Sequence, residues 1–176
     1  RKVPQRTYSV TNANLPEHLP LVGLGCSSFS SFFFSAEEDN DDLTVDAVSM
    51  EHPAVTGWIE TIRHAVLNRG INLLDTAPWY GHGVSETVVG FALDTILSDE
   101  GCAQAQRIRT GSLARRDLII NTKVGRYEAD LLKQFDFSYE TTIESVQRSL
   151  ARMNCSYIDV IQLHDPEFAP GMSVLL

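Results

Sequence analysis

The chain has 176 residues, with 14 Lys and Arg against 23 Asp and Glu, which gives a formal net charge of −9. This length suits one domain, and the 43% of hydrophobic residues is typical of a globular protein rather than a disordered one. The acidic balance argues against a nucleic-acid partner. Because no apolar run approaches the roughly 20 residues that span a bilayer, we also expect no membrane partner.

The cysteines and the first residues indicate the compartment. Cys26, Cys102 and Cys155 are far apart and form no Cys-x-x-Cys pair. This spacing argues against a disulfide scaffold or a zinc knuckle and fits a reducing compartment. The first residues are basic but lack the apolar stretch of a secretory signal. We therefore expect a cytoplasmic protein without a metal site.

Apolar segments alternate between strand and helix patterns along the chain. The predicted strands cover residues 19–25, 71–74, 118–122 and 157–163. The predicted helices between them cover residues 58–69, 85–96 and 138–153. Gly70 stands at a C-cap position, and Ser85 and Ser138 stand at N-cap positions. The third helix should bury an apolar stripe made of Ile143, Val146, Leu150 and Met153.

Two remaining segments read as surface features. Residues 35–42 carry five carboxylates within six positions, a density that favours an exposed loop. This loop lacks the glycine and distal glutamate of a calcium site. The three phenylalanines at residues 32–34 should fold back onto the body of the protein.

Strands that alternate with helices predict a parallel sheet, either doubly wound or part of a (β/α)₈ barrel. A doubly wound nucleotide-binding sheet should show a glycine fingerprint after its first strand. Gly23 and Gly25 are present, but position 28 is serine and the next helix begins far downstream. The barrel is therefore favoured, with Leu73 and Ile120 expected to face its interior.

Ionisable residues follow three of the predicted strands. Asp75, Lys123 and His164 stand where their strands end, and Tyr80 follows Asp75 in the next turn. Each alone is more often a turn residue or a solvated strand end than a catalytic group. In a (β/α)₈ barrel, however, catalytic groups lie at the carboxyl ends of the strands, so all four should meet at one mouth.

These four residue types suit proton transfer. A free tyrosine has a pKa of about 10 and is a poor acid-base catalyst near neutrality, but a neighbouring ammonium favours its phenolate. Asp75 would keep Lys123 charged and in place, and a neutral His164 could hydrogen-bond a substrate oxygen. Together these four side chains would protonate or deprotonate a substrate oxygen whose carbon gains or loses a hydride.

The segment DTAPWYGHGVSE at residues 75–86 closely resembles the signature of the aldo-keto reductases. The Thr-Lys pair at residues 122–123 and the strand before His164 match in order and spacing. The resemblance implies a catalytic tetrad of Asp75, Tyr80, Lys123 and His164, with tyrosine as the proton donor in reduction. It also implies NAD or NADP as the hydride carrier.

Further segments resemble the L-galactose dehydrogenase and D-arabinose (D-threo-aldose) 1-dehydrogenase branch. They are KVGRY at 123–127, FDFS at 135–138 and HDPEF at 164–168. This branch oxidises the anomeric carbon of an aldose to a lactone, so a sugar or another small carbonyl compound would be the substrate. The resemblance covers most of residues 19–168, with apparent insertions at about 27–53 and 98–115.

The same resemblance implies how the chain is organised. Residues 1–18 would be an N-terminal extension, and residues 19–176 the N-terminal half of a (β/α)₈ barrel, with only its first four βα units. Four units alone should be inactive, and a full-length form should be a monomer or a small homo-oligomer. Gly25, Cys26 and Asp75 would contact the cofactor. Gly83, Ser85 and Glu86 would be structural.

Two other functions stay open at this point. A Schiff-base aldolase on the same barrel would use Lys123 as nucleophile and Tyr80 as proton shuttle. A non-catalytic reductase-like subunit would keep the fold and bind nicotinamide without turnover.

Overall fold

A computed structural model describes most of the chain. The described residues are 5–7, 18–30, 43–98, 113–127, 129–130 and 133–169. The expected acidic loop at 35–42, the phenylalanines at 32–34, Cys102 and most of the polar stretch at 98–115 lie outside these ranges.

The described residues form six strands and three α-helices. In chain order they are β1 (Gln5–Thr7), β2 (His18–Pro20), β3 (Leu24–Gly25), α1 (Pro53–Arg63), β4 (Leu73–Asp75), α2 (Val84–Leu97), β5 (Ile119–Val124), α3 (Tyr139–Arg152) and β6 (Val160–Leu163). Short 3-10 turns occupy Tyr80–Gly83, Arg115–Asp117 and Pro166–Phe168. None of these helices is long and apolar enough to cross a membrane.

Strands β3 to β6 form one parallel sheet in the order β3-β4-β5-β6. Leu74 pairs with Leu24 on one side and with Ile120 on the other. Because the spatial order follows the chain order without a reversal, the sheet has the arrangement of successive barrel units and lacks the switch point of a doubly wound sheet. The predicted parallel sheet of four strands is confirmed.

The first predicted strand, residues 19–25, is two strands. His18–Pro20 pairs antiparallel with Gln5–Thr7, so part of the expected N-terminal extension forms a two-stranded ribbon. The parallel sheet begins only at Leu24. Between the two strands Leu21 and Val22 are exposed. The continuous apolar run hid this break because a change of partner leaves no mark in hydrophobicity.

Helix α1 begins at Pro53, where the side chain of His52 accepts a hydrogen bond from the amide of Ala54. A π-helical turn, His64–Asn68, continues it. Gly70 follows with a φ of +73°, a backbone conformation that favours glycine and ends helices. The predicted end of this helix is confirmed.

The N-cap of α2 differs from the prediction. The cap is Gly83, with a φ of +105°, and Ser85 lies inside the first turn. A side chain at Gly83 would overlap the guanidinium of Arg152, which approaches to 2.6 Å from the Cβ position. Glycine therefore takes the cap position, and the hydroxyl of Ser85 bonds elsewhere.

The main core lies between the sheet and its helices. Leu74, Leu118 and Ile120 from the sheet are fully buried there against Val88 and Ile62 of the helices. Ile120 therefore faces the helices, contrary to the expectation that it faces the barrel interior. The reason is the two-residue period of the strand, which places Ile120 opposite to Lys123.

Helix α3 buries a different face from the predicted one. Ile143 is exposed, and Val146 and Leu150 are only half-buried, whereas Ser145 and Ser149 are buried. Met153 alone of the predicted stripe is fully buried. Small residues occupy the buried face because α3 packs closely on its neighbours: a Cβ added at Gly90 of α2 would lie 2.5 Å from the carbonyl oxygen of Arg152.

Candidate active site

Lys123 lies inside strand β5, which extends to Val124, beyond the predicted end at residue 122. Its side chain alternates with those of Ile120 and Thr122, so it points away from the helices. Lys123 is nine-tenths buried. A lysine at this depth needs partners for its ammonium group, since burying an unpaired charge is costly.

Two oxygens at the end of β4 supply those partners. The Nζ atom of Lys123 donates to Oδ1 of Asp75 at 2.8 Å and to the carbonyl oxygen of Thr76 at 3.0 Å. Nζ also lies 4.8 Å from the ring centroid of Tyr80. The carboxylate keeps the ammonium charged, and the ammonium places positive charge beside the tyrosine ring.

Tyr80 and His164 come from the loops after β4 and β6, on either side of β5. Tyr80 begins the 3-10 turn Tyr80–Gly83. The amide of His164 donates to the carbonyl of Val124 at 2.8 Å, which fixes its backbone to the end of β5. The two rings meet edge to face, with centroids 5.7 Å apart and planes at 84°.

The imidazole of His164 is half-buried, and this burial is the main reason why its pKa lies below the ordinary value of 6.5. The nearby charges of Lys123 and Arg126 lower the pKa further, whereas those of Asp165 and Asp75 raise it. His164 is therefore neutral at neutral pH. Its Nδ1 atom is buried and has no hydrogen-bond partner among the described residues. A neutral imidazole of this kind can donate one hydrogen bond to a ligand.

The structure thus brings Asp75, Tyr80, Lys123 and His164 together at the carboxyl ends of three neighbouring strands. The first three form one chain of contacts, from carboxylate to ammonium to phenol ring, and His164 closes it from the far side. Such a group can move a proton to or from a substrate oxygen beside Tyr80.

Asn121 belongs to the same site but is not among the residues predicted from the sequence. Its Nδ2 donates to Oδ1 of Asp75 and, at 3.1 Å, to Oε1 of Gln162, so one amide joins β4, β5 and β6. Asn121 lies two residues before Lys123 on the same strand face. A polar residue at that spacing inside an apolar strand is the signal that could have identified it.

Gly25 and Cys26, the expected cofactor contacts, lie beside Asp75 in different surroundings. Gly25 pairs with Asp75 across the sheet, and a Cβ added there would meet no atom of the described residues within 4 Å. The sheet face is therefore open at this point, as far as the described part of the chain shows. Cys26 is fully buried, and its amide donates to the carbonyl of Asp75 at 2.8 Å.

Burial also raises the pKa of the Cys26 thiol to about 12. The thiol donates to the carbonyl of Leu24. The thiol is therefore neutral and closed off from solvent. The contact of Cys26 with a cofactor stays a prediction.

Ser85 and Glu86, expected to be structural, are both fully buried on the helix side of the sheet. The hydroxyl of Ser85 donates a hydrogen bond to the carbonyl of Cys26 at 2.8 Å and forms a second hydrogen bond with Oγ1 of Thr76. The carboxylate of Glu86 accepts from Thr122 at 2.6 Å and from Arg152 at 2.9 Å. These contacts support the site from behind.

Comparison with known proteins gives one family. The sequence profile of the Aldo/keto reductase family matches residues 54–172, which include Asp75, Tyr80, Lys123 and His164. The chain is 33% identical over 147 residues to L-galactose dehydrogenase of Arabidopsis thaliana and 28% identical over 152 residues to D-threo-aldose 1-dehydrogenase of a Pseudomonas species. The matches cover 84% and 85% of this chain, but 34% and 41% of the two relatives.

Solved structures agree with this result. The holo form of an aldo-keto reductase from Bacillus halodurans superposes with a TM-score of 0.55 at 28% identity. The match covers 92% of this chain and 40% of that structure, so the four parallel strands correspond to part of a reductase barrel. The chain belongs to the aldo/keto reductase family.

Proposed function

We propose that this chain supplies the acid-base half of the site of an NAD(P)-dependent oxidoreductase that oxidises the anomeric hydroxyl of an aldose to a lactone. One observation carries the proposal: the ammonium of Lys123 lies between the carboxylate of Asp75, at 2.8 Å, and the ring of Tyr80, at 4.8 Å. The names of the two relatives, a galactose and an aldose dehydrogenase, support the substrate class.

Each residue has a defined part in the reaction. Tyr80, as phenolate, accepts the proton of the sugar hydroxyl, and the charge of Lys123 stabilises that phenolate. Asp75 holds Lys123 charged and in place through the ion pair. Neutral His164 donates a hydrogen bond that orients the sugar oxygen. In the reducing direction the same phenol returns the proton to a carbonyl oxygen.

The residues present fit a nicotinamide cofactor. The open sheet face at Gly25 lies directly beside Asp75, since the two residues pair across the sheet. Gly25, Cys26 and Asp75 would hold the nicotinamide side. When bound, the cofactor supplies the hydride acceptor. NAD and NADP both fit this proposal.

The contacts of Lys123 disfavour the aldolase alternative. An amine nucleophile must lose its proton, but Nζ is held by the carboxylate of Asp75 and the carbonyl of Thr76, both of which favour the charged form. Borohydride treatment in the presence of an aldose should therefore leave Lys123 unmodified. A trapped adduct on Lys123 would favour the aldolase.

The test of the proposed function is Tyr80→Phe in the complete gene product, with NAD and NADP as cofactors and L-galactose and D-arabinose as substrates. A general acid-base group contributes about 10²- to 10⁴-fold, so kcat should fall by that factor while cofactor binding is kept. The matched control is Tyr157→Phe, because Tyr157 also lies beneath a cation, with Arg115 4.1 Å from its ring centroid. This control should keep full activity.

Two results would contradict the proposal. A Tyr80→Phe variant within a few-fold of the parent would remove Tyr80 from the reaction. A complete protein that binds NAD or NADP in a calorimeter but never reduces it with any aldose would favour the non-catalytic subunit. We also expect the 176-residue chain alone to be inactive and to self-associate, since Ile161 and Leu163 of the edge strand β6 are about half exposed.

A further inference from the structure

Arg126 joins the two loops that carry Tyr80 and His164. It follows β5 after Gly125, whose φ of +105° turns the chain at the strand end. The guanidinium carbon of Arg126 lies 4.0 Å from the ring centroid of Trp79, the residue directly before Tyr80. One guanidinium nitrogen donates to Oδ2 of Asp165, the residue directly after His164, at 2.6 Å.

The position of Arg126 is itself fixed from a third direction. Its backbone forms an isolated bridge with Phe135, and its guanidinium lies 5.4 Å from the centroid of that ring. Phe135 in turn stacks on Phe168, with centroids 4.7 Å apart. A planar guanidinium between two aromatic rings and one carboxylate has a defined orientation, unlike a solvated arginine on a helix surface.

The topology gives this contact its importance. Tyr80 follows β4 and His164 follows β6, and these strands are not neighbours because β5 lies between them. Among the described residues, no strand pairing fixes one loop directly to the other. Arg126, which extends from the end of the middle strand, reaches both. Asp165 also adopts a φ of +48°, an uncommon conformation for residues other than glycine, and its carboxylate accepts a hydrogen bond from Arg126 in that conformation.

We propose that Arg126 is a positioning residue that holds the Trp79–Tyr80 loop and the His164–Asp165 loop at their working separation. This proposal rests on the proposed function, in which Tyr80 and His164 act on the same substrate oxygen. Arg126 does not touch that oxygen. It acts by setting where the phenol and the imidazole stand relative to each other.

Charge and position can be separated experimentally. Asp165, Lys123, Arg126 and Asp75 are the charged groups around His164, and the ring of Tyr80 faces it at 5.7 Å. Replacing Arg126 with methionine removes a positive charge, so the pKa of His164 should rise. Arg126→Lys keeps the charge but loses the planar stack on Trp79. A pure charge effect would be absent in the lysine variant, whereas a positioning effect would persist.

The experiment uses Arg126→Met, Arg126→Lys and, as the matched control, Arg148→Met. Arg148 forms an exposed pair with Glu144 on α3, at 4.0 Å. Steady-state kinetics with an aldose and NAD or NADP is measured on the complete gene product. Because a displacement of about 1 Å can cost about 100-fold in rate, we expect Arg126→Met to lower kcat by 10- to 100-fold without raising the cofactor KM. Arg126→Lys should show a fall in kcat about half as large on the logarithmic scale. Arg148→Met should leave kcat unchanged.

NMR of the histidine side chains gives a readout that does not need activity. The spectra are recorded on the same complete gene product, and the His164 signal is assigned by its absence from His164→Gln. Its ring protons lie beside the Tyr80 ring, so their chemical shifts report the separation of the two rings. These shifts should move towards those of a free histidine in both Arg126 variants and stay unchanged in Arg148→Met.

The two proposals fail in different ways. If the unmodified protein shows no dehydrogenase activity, the proposed function is wrong, but the His164 shifts still decide the role of Arg126. Unchanged His164 shifts in both Arg126 variants would overturn the positioning role. So would a kcat of Arg126→Met within two-fold of the parent, or an equal loss in Arg148→Met. A loss confined to the sugar KM would also overturn it, since that would make Arg126 a substrate contact.

Discussion

The polar side chains on the two faces of strand β5 differ in how completely they are hydrogen-bonded. On the face towards the helices, the hydroxyl of Thr122 donates to Glu86, which also accepts from Arg152. On the opposite face, Lys123 and Asn121 share one oxygen of Asp75, and Oδ1 of Asn121 is left without a partner among the described residues.

The difference separates stability from chemistry within one strand. Buried polar groups that are fully paired specify a single packing arrangement. Groups left unpaired cost stability and are kept where a ligand can complete them. The helix-side network should therefore respond to mutation in the free energy of unfolding, and the opposite face mainly in activity.

The largest stability effect should come from Glu86→Ala. Removing one member of a buried, hydrogen-bonded ion pair costs about 3–5 kcal/mol, and the lower end applies because Arg152 keeps some solvent contact. The control is Glu144→Ala, which breaks an exposed pair on α3 and should cost less than about 1 kcal/mol. Urea unfolding of both variants measures the difference. Similar losses in the two would mean that the buried network adds no stability.

A smaller effect should come from the packing of α2 on α3. In Gly90→Ala the new Cβ would lie 2.5 Å from the carbonyl oxygen of Arg152, so the helices must separate, at a cost of about 1–3 kcal/mol. In the control, Gly57→Ala in α1, the new Cβ meets none of the described residues within 4 Å. That variant should gain about 0.4–1 kcal/mol by restricting the unfolded chain. Thermal unfolding should shift in opposite directions for the two; shifts of the same sign would contradict the close packing.

The smallest effect concerns His164 and depends on pH. Its pKa in the folded protein is below 6.5, so the unfolded chain binds the proton more readily than the folded one as the pH falls through 6.5. Stability should therefore decrease from pH 7.5 towards pH 5.5, and His164→Gln should show a shallower decrease. Urea midpoints at several pH values test this. Equal slopes in the two proteins would mean that His164 titrates alike in both states.

Three of the four candidate catalytic residues could be predicted because each stands at the end of an apolar run, and Tyr80 because it lies in the turn after one of them. A charged or polar residue at the end of a buried strand is visible in the sequence, and the parallel topology brings such ends to one edge. Asp75, Lys123 and His164 follow this rule. Their assembly at one edge of the sheet is what the structure adds.

Other features could not be read in this way. Ser85 matches the N-cap pattern, but the cap is Gly83, because Arg152, distant in sequence, fills the space beside it. Arg126 contacts Trp79, Phe135 and Asp165, which lie in three separate loops. No local sequence pattern predicts these contacts. In α3 the buried serines follow from close approach to neighbouring elements, and hydrophobicity alone favoured the wrong face.

The strand order β3-β4-β5-β6 has a consequence for how the chain folds as it is made. Strands β4, β5 and β6 each pair with a strand that precedes them in the chain: Leu74 with Leu24, Ile120 with Leu74 and Val160 with Asn121. During synthesis, therefore, every new strand leaves the ribosome to find its partner already present. These four strands can therefore pair from the N-terminal side, one strand and one helix at a time.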